Sequence, residues 1–375
     1  MEKVRVLHVV PNMHAAGLET LIMNIYRNID RTKVQFDFLV HYKERHFYDD
    51  EIEKLGGKIY RLSFRNDGNL VKYLKDLDYF FQNHRYSIVH GHMESTACFY
   101  LGIAKKYNVP IRIVHSHNTS TEKNLKGFIK YQLQKLSTTF ATEYFACGKL
   151  AGEFLYKNKP FTVIHNAIDL DIFKPDIEAR NILRDEYNIG NKFVLGHIGR
   201  FNSQKNHMFM LDVFEKFHKL IPESLLILVG EGETENDVRN KVVKLGLSDS
   251  VLFLGVRSDI NSIYNMSDIF LLPSLFEGLP VVGVECQAAG RQALFSDAIT
   301  DEIKITKLIE FLPIDTENSV DIWCEKLMDR IQNRIELSEN EIKNSLRASG
   351  YDIRKEANIL QNLYFELLEN EKEQT

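Results

Sequence analysis

Short apolar runs rich in Val, Ile and Phe alternate along the chain with longer stretches of helical periodicity. This alternation is typical of βα units around a parallel sheet. A first series of such runs is followed by a second, so the pattern predicts two α/β domains in succession. The runs are VRVLHVV, QFDFLVHY, SIVHGH, IRIVHSH, YFACG and FTVIHN in the first series, and KFVLGHIGR, LLILVGEG, VLFLGV and DIFLLPS in the second.

The segment between the two series and the end of the chain have a different pattern. The former holds Pro175 and mixed charges, and the latter is helical and charged, with Ile359, Leu363 and Leu367 on one face. A helix with such a face must pack on a domain. We therefore predict a first domain, a crossing, a second domain and a final helix, over residues 1–165, 166–190, 191–350 and 351–375.

The totals agree with two ordinary globular domains. The chain has 375 residues, of which 44% are hydrophobic and 26% are charged, so disorder is not indicated. Its four cysteines form no C-x-x-C pair, which gives no support to a zinc site or a disulfide framework. The apolar run at the start reaches Pro11 and is too short for a signal peptide or a membrane span. We expect a cytoplasmic protein.

Charge is distributed unevenly between the two halves. Residues 1–165 contain 24 Lys and Arg against 16 Asp and Glu, a net charge of +8, while the remainder contains 23 against 36, a net charge of −13. This asymmetry indicates either an anionic surface or ligand for the first half, or solvated charge without a partner.

Functional residues are expected directly after each apolar run, because ligands of open α/β sheets bind at the carboxyl ends of the strands. The segment FEGLPVVGVECQAAG follows DIFLLPS. Pro280 suits the first turn of a helix, which would place the first-turn N–H groups around Gly278 and Leu279 at an anion or sugar. Glu277 and Glu285 could accept hydrogen bonds from hydroxyls at two separated points of one ligand.

Two cations follow the first run of the second series. Arg200 and Lys205 in GRFNSQKNH stand where a diphosphate could be bound by a guanidinium and a point charge. Solvated surface charges are the alternative. The nearby LVGEGE lacks the third glycine of a dinucleotide fingerprint, so it indicates close backbone approach to a nucleotide at most.

In the first half, Gly17 lies between a strand and a helix, where backbone N–H groups are accessible to ligand atoms. A plain structural turn is the alternative. His117 closes the strand IRIVHSHN, with His115 two positions before it. No carboxylate or cysteine nearby in sequence completes a metal site with this pair, and a structural role for a histidine at a strand end is common.

The sequence resembles the retaining GT-B glycosyltransferases that carry an E-x7-E motif, in their bacterial capsular and exopolysaccharide branch. The resemblance spans nearly the whole chain and rests on the order and spacing of several segments. These are AAGLET, RIVHSHN, IHNAID, GRFNSQKN, FLGVRSDI and PSLFEGLPVVGVECQAAG. It implies two Rossmann-like α/β/α domains facing across a cleft, with the C-terminal helix returning to the first domain.

The resemblance also implies the function and the roles of particular residues. A hexosyl group would move from a UDP-sugar to a saccharide, with retention of configuration and without a metal or other cofactor. The acceptor would be linked to a polyprenyl diphosphate at the inner face of the cell membrane, and no nucleic acid is implied. The implied contacts are Arg200 and Lys205 on the diphosphate, Glu285 on the ribose, Glu277 and His117 at the sugar, Val256 and Arg257 by the base, and Gly17 by the phosphate and acceptor.

The sequence departs from the family pattern in two segments. Ala16 stands where a glycine is usual, which could narrow the approach to Gly17. Arg291 and Gln292 replace a small apolar pair and could disturb the strand that follows. These departures keep a non-catalytic partner subunit open as an alternative, and a UDP-sugar 2-epimerase on the same fold is another.

The segment KNLKGFIKYQLQKL predicts a basic amphipathic helix. Its apolar positions recur at helical spacing, and four lysines surround them. The helix either packs its apolar face on the domain core or contacts anionic lipid. The apolar positions are Leu125, Phe128, Ile129, Leu133 and Leu136, and the lysines are Lys123, Lys126, Lys130 and Lys135.

Overall fold

The computed structural model of the protein describes residues 3–14, 17–118 and 124–374, and the chain divides into two compact units. Unit 1 contains Met1–Ala167 and Asp352–Thr375, and unit 2 contains Ile168–Tyr351. The last segment therefore belongs to the first unit although it follows the second in sequence. Ala16 and Lys123 lie outside the described residues.

Unit 1 is built on a seven-stranded parallel sheet with strand order β3-β2-β1-β4-β5-β6-β7. Both faces of its central strands are buried, as in parallel sheets that helices cover on both sides. The order reverses between β1 and β4, which is the place where open α/β sheets bind ligands. The strands are β1 (Val4–Val9), β2 (Val34–Val40), β3 (Ile59–Arg61), β4 (Ile88–Gly91), β5 (Ile111–Ser116), β6 (Glu143–Ala146) and β7 (Thr162–Val163).

Helices connect these strands, and most of them bury one apolar face. Among the N-caps that the structure describes in this unit, Asn69 and Asn124 accept hydrogen bonds from backbone N–H groups through their side chains. The helices are α1 (Gly17–Asn28), α2 (Asp49–Lys54), α3 (Phe64–Asp67), α4 (Leu70–Asn83), α5 (Ala97–Lys106), α6 (Leu125–Ser137) and α7 (Lys149–Tyr156).

Unit 2 repeats this architecture with six parallel strands in the order β10-β9-β8-β11-β12-β13. Its order reverses between β8 and β11. The strands are β8 (Phe193–Ile198), β9 (Ser224–Val229), β10 (Val251–Phe253), β11 (Ile269–Leu272), β12 (Gln292–Ser296) and β13 (Ile309–Leu312). The helices are α8 (Ile177–Glu186), α9 (His207–Leu220), α10 (Glu235–Lys244), α11 (Ile260–Met266), α12 (Val281–Ala288), α13 (Ser319–Gln332) and α14 (Glu339–Ala348).

The final helix, α15 (Ile353–Gln374), packs on α1 in the core of unit 1. Its buried residues are Ile353, Ala357, Leu360 and Tyr364, and Leu363 and Leu367 pack beside them. Ile359, which the sequence places on the apolar face, is exposed instead. The buried face of α15 is therefore shifted by one residue toward the C-terminus from the predicted apolar face.

The strand after Arg291 is intact, so the expected disturbance is wrong. β12 pairs in parallel with β11 and β13. The Arg291 Nε donates to the Ala289 carbonyl at 2.9 Å, and the Gln292 Oε1 accepts from the Ile335 N–H at 3.0 Å. Both polar side chains thus have partners at the start of the strand.

The two glycines after β9 approach the protein's own backbone. A Cβ on Gly230, which has a φ of +132°, would lie 2.2 Å from the Gly199 carbonyl oxygen. A Cβ on Gly232 would lie 2.3 Å from the Phe201 carbonyl oxygen. The glycines of LVGEGE are therefore needed by the β8 loop, whereas the sequence indicated approach to a nucleotide.

Replacement of Gly230 by alanine should therefore destabilise unit 2 strongly. Backbone strain and the clash together should cost about 3 kcal/mol, which lowers Tm by roughly 6–12 °C for a unit of this size. Gly246→Ala is the matched control, because its φ of +70° is also positive but no atom lies within 4 Å of its added Cβ. Calorimetry showing equal losses for both variants would contradict the close approach.

Candidate functional site

Two loops meet where the strand order of unit 2 reverses. The loop after β8 runs from Gly199 to Lys205, and the loop after β11 runs from Pro273 to Pro280. The Leu275 N–H donates to the Gln204 carbonyl at 2.8 Å, and the Gln204 side chain donates to the Phe276 carbonyl at 2.8 Å. One backbone and one side-chain hydrogen bond thus fix the two loops to each other at the carboxyl edge of the sheet.

Lys205 and Glu277 form an ion pair at this edge. The Lys205 Nζ lies 2.6 Å from the Glu277 Oε1, and their side chains are only 14% and 10% exposed. Gln204 also donates to the Glu277 Oε2 at 3.2 Å. The fold thus joins two candidate residues that stand 72 positions apart in sequence, and it places a largely desolvated cation beside a carboxylate.

Arg200 is not part of this pair. Its guanidinium lies 3.1 Å from the Glu233 carboxylate, and its side chain is 70% exposed. The two cations that the sequence groups together therefore engage different carboxylates. Since Arg200 is a long, exposed side chain, it is weakly held in this position.

The helix after Glu277 begins later than the sequence predicted. α12 starts at Val281, and Pro280 occupies the N-cap with an extended ψ of 115°. The first-turn N–H groups belong to Val281 and Val282, so the expectation that Gly278 and Leu279 supply them is wrong. Those two residues form the bend before the helix, which agrees with the disfavoured helical conformation of a residue that precedes proline, here Leu279.

Glu285 lies on the buried side of α12. Its Oε2 accepts a hydrogen bond from the Tyr264 hydroxyl at 2.9 Å. Burial raises the pKa of Glu285 to about 7, and the hydroxyl lowers it only in part. This carboxyl group therefore changes charge near neutral pH.

Val256 and Arg257 follow β10 on the same edge of the sheet. Val256 is exposed. The Arg257 guanidinium donates to both carboxylate oxygens of Asp259, at 2.8 and 2.7 Å, and to the Tyr187 hydroxyl at 3.1 Å. The positive charge of Arg257 is thus paired with a carboxylate of the same unit.

In unit 1, Gly17 begins α1 directly after the loop that follows β1. A Cβ added to Gly17 would meet no described atom within 4 Å, so packing does not require a glycine there. Glu19 lies in the same first turn and is buried, which raises its pKa to about 7. Glu19 was not predicted from the sequence as a site residue.

Five histidines line the carboxyl ends of β1, β4 and β5 and lie in ring contact with one another. Three pairs of ring nitrogens lie 3.0 Å apart: His8 Nδ1 with His92 Nε2, His92 Nδ1 with His117 Nε2, and His90 Nε2 with His115 Nδ1. We call these residues the histidine cluster. Burial lowers the pKa of each of them, to about 3 for His8 and His117, so the rings are neutral at pH 7.

Glu94 fixes the backbone beside His117. Its Oε1 accepts from the backbone N–H groups of His117 and Asn118, at 2.6 and 3.1 Å, and its Oε2 accepts from the Gln134 side chain at 2.6 Å. Burial raises the pKa of Glu94, while these N–H donors oppose the shift. One buried carboxyl group thus ties the end of β5 to α6.

The contact with Gln134 shows which face of α6 is buried. Gln134 and Ser137 are buried, whereas the apolar side chains point outward: Leu125 is 76%, Phe128 60% and Ile129 52% exposed. The alternative in which the apolar face packs on the core is therefore wrong. Lys130 and Lys135 are exposed beside these side chains.

Sequence reasoning missed several residues of these sites: His8, His90, His92, Glu94, Gln134 and Tyr264. A usable signal was present, because His90 and His92 in SIVHGH end an apolar run as His115 and His117 do in IRIVHSH. The rule that led to His117 applies equally to both runs. Gln134 and Tyr264 carry no such signal, since they stand inside helices.

Comparison with known proteins defines the class. The family described as "Glycosyltransferase Family 4" matches residues 15–172, and the family described as "Glycosyl transferases group 1" matches residues 179–303. The chain belongs to these glycosyltransferases, and its two parallel α/β units have the GT-B fold. The predicted enzyme class and fold class are thereby confirmed.

Particular relatives match over almost their full length. EpsF of Bacillus subtilis strain 168, named as a glycosyltransferase, is 32% identical, with 96% of each chain covered. A UDP-Gal:alpha-D-GlcNAc-diphosphoundecaprenol alpha-1,3-galactosyltransferase of Escherichia coli is 24% identical, with 98% of each chain covered. The crystal structure of Anabaena HepE with UDP and glucose superposes with a TM-score of 0.80 at 16% identity, over 97% of this chain and 100% of that one.

Every helix in the described part of the chain is too short or too polar to span a lipid bilayer.

Proposed function

We propose that this glycosyltransferase moves a hexosyl group from a UDP-sugar to a saccharide on a polyprenyl diphosphate, with retention of configuration, in capsular or exopolysaccharide synthesis. The desolvated Lys205–Glu277 pair at the reversal point of the unit 2 sheet carries the proposal. It offers a cation for a diphosphate and a carboxylate for sugar hydroxyls within 2.6 Å of each other. The E. coli relative, named for a UDP-sugar donor and a lipid-diphosphate acceptor, supports the choice of substrates.

The donor contacts are proposed for unit 2 by itself. Lys205 binds the diphosphate, and the N–H groups at the start of α12 add partial positive charge. Glu277 releases part of its hold on Lys205 and accepts hydrogen bonds from the donor sugar, while Glu285 accepts from the ribose. The remaining donor contacts are Arg200 at the diphosphate, the backbone of Gly278 and Leu279 at the sugar, and Val256 and Arg257 at the base.

In this mechanism, side chains supply little acid–base catalysis. As the bond between the sugar and the diphosphate breaks, charge develops on the leaving oxygen and is stabilised by Lys205 and by N–H groups fixed in advance. The leaving diphosphate then accepts the proton of the attacking hydroxyl on the same face of the sugar, which retains the configuration. No metal or cofactor is part of this proposal, and His117 contacts the sugar as a neutral ring.

Unit 1 is proposed to bind the acceptor, with Gly17 bordering the phosphate and the acceptor. The exposed apolar and basic face of α6 is proposed to rest on anionic lipid at the inner face of the cell membrane, where a polyprenyl-linked acceptor resides. Apolar side chains flanked by lysines are the pattern of helices that lie in the membrane interface.

The decisive experiment incubates the full chain and EDTA with a panel of UDP- and GDP-sugars and a polyprenyl-diphosphate-linked saccharide. Mass spectrometry should show an acceptor heavier by one hexosyl unit with a UDP-sugar, and the anomeric proton coupling of the product should match that of the donor. An epimerised donor formed without any acceptor would replace the proposal by a UDP-sugar 2-epimerase. Absence of both donor binding and turnover would indicate a non-catalytic partner subunit, and a strict need for manganese would contradict the metal-independent mechanism.

Donor binding should depend on pH through Glu285. Its pKa of about 7 means that the carboxylate is present above pH 7 and is protonated below it. Since a charged acceptor binds a hydroxyl more strongly than a neutral one, the affinity for a UDP-sugar should fall about five- to tenfold between about pH 8 and about pH 5.5. Calorimetry on Glu285→Gln supplies the control: this variant should bind weakly and equally at both pH values, and an unchanged pH profile would remove Glu285 from the donor site.

A further inference from the structure

The histidine cluster contains two groups of three imidazoles that share His92. In each group, one ring nitrogen from every member lies within 4.8 Å of the others. The inner group is His8, His90 and His92, and the outer group is His92, His115 and His117. We propose that the outer group binds one divalent transition-metal ion of the kind that prefers imidazole ligands, such as Zn²⁺, Ni²⁺ or Co²⁺.

The spacing of the outer group suits a tetrahedral ion. The His92 Nδ1 and the His117 Nε2 lie 3.0 Å apart. Two nitrogens bound at about 2.0–2.1 Å to one tetrahedral Zn²⁺ are separated by about 3.3 Å. The two rings therefore need to part by only a few tenths of an ångström. We assign the third ligand to the His115 Nε2, which is buried and has no partner within hydrogen-bond geometry among the described residues, although the ring contacts the backbone at Ala146.

In two of the three proposed ligands, His92 and His115, the ring nitrogen that does not bind the ion already has a hydrogen-bonding partner. The His92 Nε2 lies 3.0 Å from the His8 Nδ1, and the His115 Nδ1 lies 3.0 Å from the His90 Nε2. His90 is held in turn by the Tyr364 hydroxyl at 2.7 Å. A second layer of contacts of this kind fixes the tautomer and ring orientation of ligating histidines. The inner histidines thus act as the support of the outer site.

Access also favours the outer group. All three members of the inner group are buried, whereas His117 is partly exposed. An ion can therefore reach the outer group past His117 without opening the sheet, and three protein ligands leave a fourth position for water. The ligands come from the ends of β4 and β5, which pair side by side, so the site is built on a rigid support.

Metal binding would have a consequence for catalysis, and this part rests on the proposed function. An ion bound to the His117 Nε2 would prevent this ring from contacting the donor sugar, so Zn²⁺ should inhibit sugar transfer. If Zn²⁺ binds at the cluster but turnover is unchanged, the role proposed for His117 fails while the metal site stands. If the ion does not bind, the metal site fails and the proposed transfer is unaffected.

The test uses the full chain, freed of metal with EDTA and desalted, without donor or acceptor. Titration with Zn²⁺ in a calorimeter and with Co²⁺ in a spectrophotometer should show one ion per chain and the visible bands of tetrahedral Co²⁺. His115→Gln should lower the affinity more than about tenfold, since even the loss of a supporting contact costs that much. His115→Cys should keep binding and add the charge-transfer band of a cobalt thiolate, which reports ligation directly even in a destabilised variant.

His46→Gln is the matched control, because His14 and His46 form another close imidazole pair of unit 1, with ring centroids 4.0 Å apart. This variant should bind as the parent does. Loss of binding in His46→Gln with binding kept in His115→Gln would move the site away from the cluster and overturn the proposal. Absence of stoichiometric binding by the parent chain, or a His115→Cys variant that gives no cobalt thiolate band, would overturn it as well.

Discussion

Lys205→Ala should weaken the binding of UDP about a hundredfold, which corresponds to about 2.7 kcal/mol. The Lys205 side chain is only 14% exposed, and its Nζ lies 2.6 Å from the Glu277 carboxylate. Its loss would remove a cation from the proposed diphosphate position and also leave a mostly buried carboxylate to repel the incoming anion. Truncation of one member of such a pair commonly costs about 2–5 kcal/mol. Calorimetry with UDP measures the effect directly.

Two further variants distinguish the loss of the Lys205 cation from the repulsion by the Glu277 carboxylate. Lys216→Ala removes an exposed lysine that pairs with Asp321 in the same unit and should leave UDP affinity unchanged. The double variant Lys205→Ala with Glu277→Ala should bind UDP more tightly than Lys205→Ala alone, because the repelling carboxylate is gone. UDP affinity equal to that of the parent in Lys205→Ala would refute the diphosphate role of this residue.

Phe128→Ser combined with Ile129→Ser should reduce binding to anionic vesicles about thirtyfold or more. These side chains are 60% and 52% exposed, and burial of the exposed part of each in lipid stabilises the bound state by about 1–1.5 kcal/mol. The two losses therefore sum to roughly 2–3 kcal/mol, which gives the expected factor. Sedimentation with vesicles of phosphatidylglycerol and phosphatidylcholine measures the partition.

The control for this helix is Val71→Ser combined with Tyr79→Ser. Both residues are exposed on α4 of the same unit, at 65% and 70%, but no comparable face of α4 was predicted to meet lipid. Vesicle binding of this variant should match the parent. Equal losses in both variants, or binding that is insensitive to salt despite Lys130 and Lys135, would contradict a specific role of α6.

The order of apolar runs was enough to predict both parallel sheets, since strands buried on both faces need continuous apolar sequence. It was not enough for β3, and the strand after Arg291, β12, was expected only from the family pattern. β3 has only three residues, and β12 begins with the polar Gln292, whose side chain bonds to the Ile335 N–H. A hydrogen bond to a residue 43 positions away cannot be predicted from a local pattern.

The same limit applied to α6. Helical spacing predicted the amphipathic helix, but periodicity alone does not determine which face is buried. The buried face is the one that carries Gln134, whose side chain donates a hydrogen bond to Glu94 in the loop after β4. A polar contact thus decided the orientation of a helix whose apolar residues would be expected to face the core.

Glu277, Lys205 and His117 could be chosen from sequence because each follows an apolar run, and the carboxyl ends of parallel strands gather at one edge. The sequence therefore determined the fold class and the edge of each sheet at which chemistry is sought. Only the tertiary structure decided the partners: Lys205 with Glu277, Arg200 with Glu233, Glu285 with Tyr264, and His117 within a cluster of five imidazoles. Such partners lie on separate loops, strands and helices, and the distances between their side chains depend on register and packing, which no local pattern encodes.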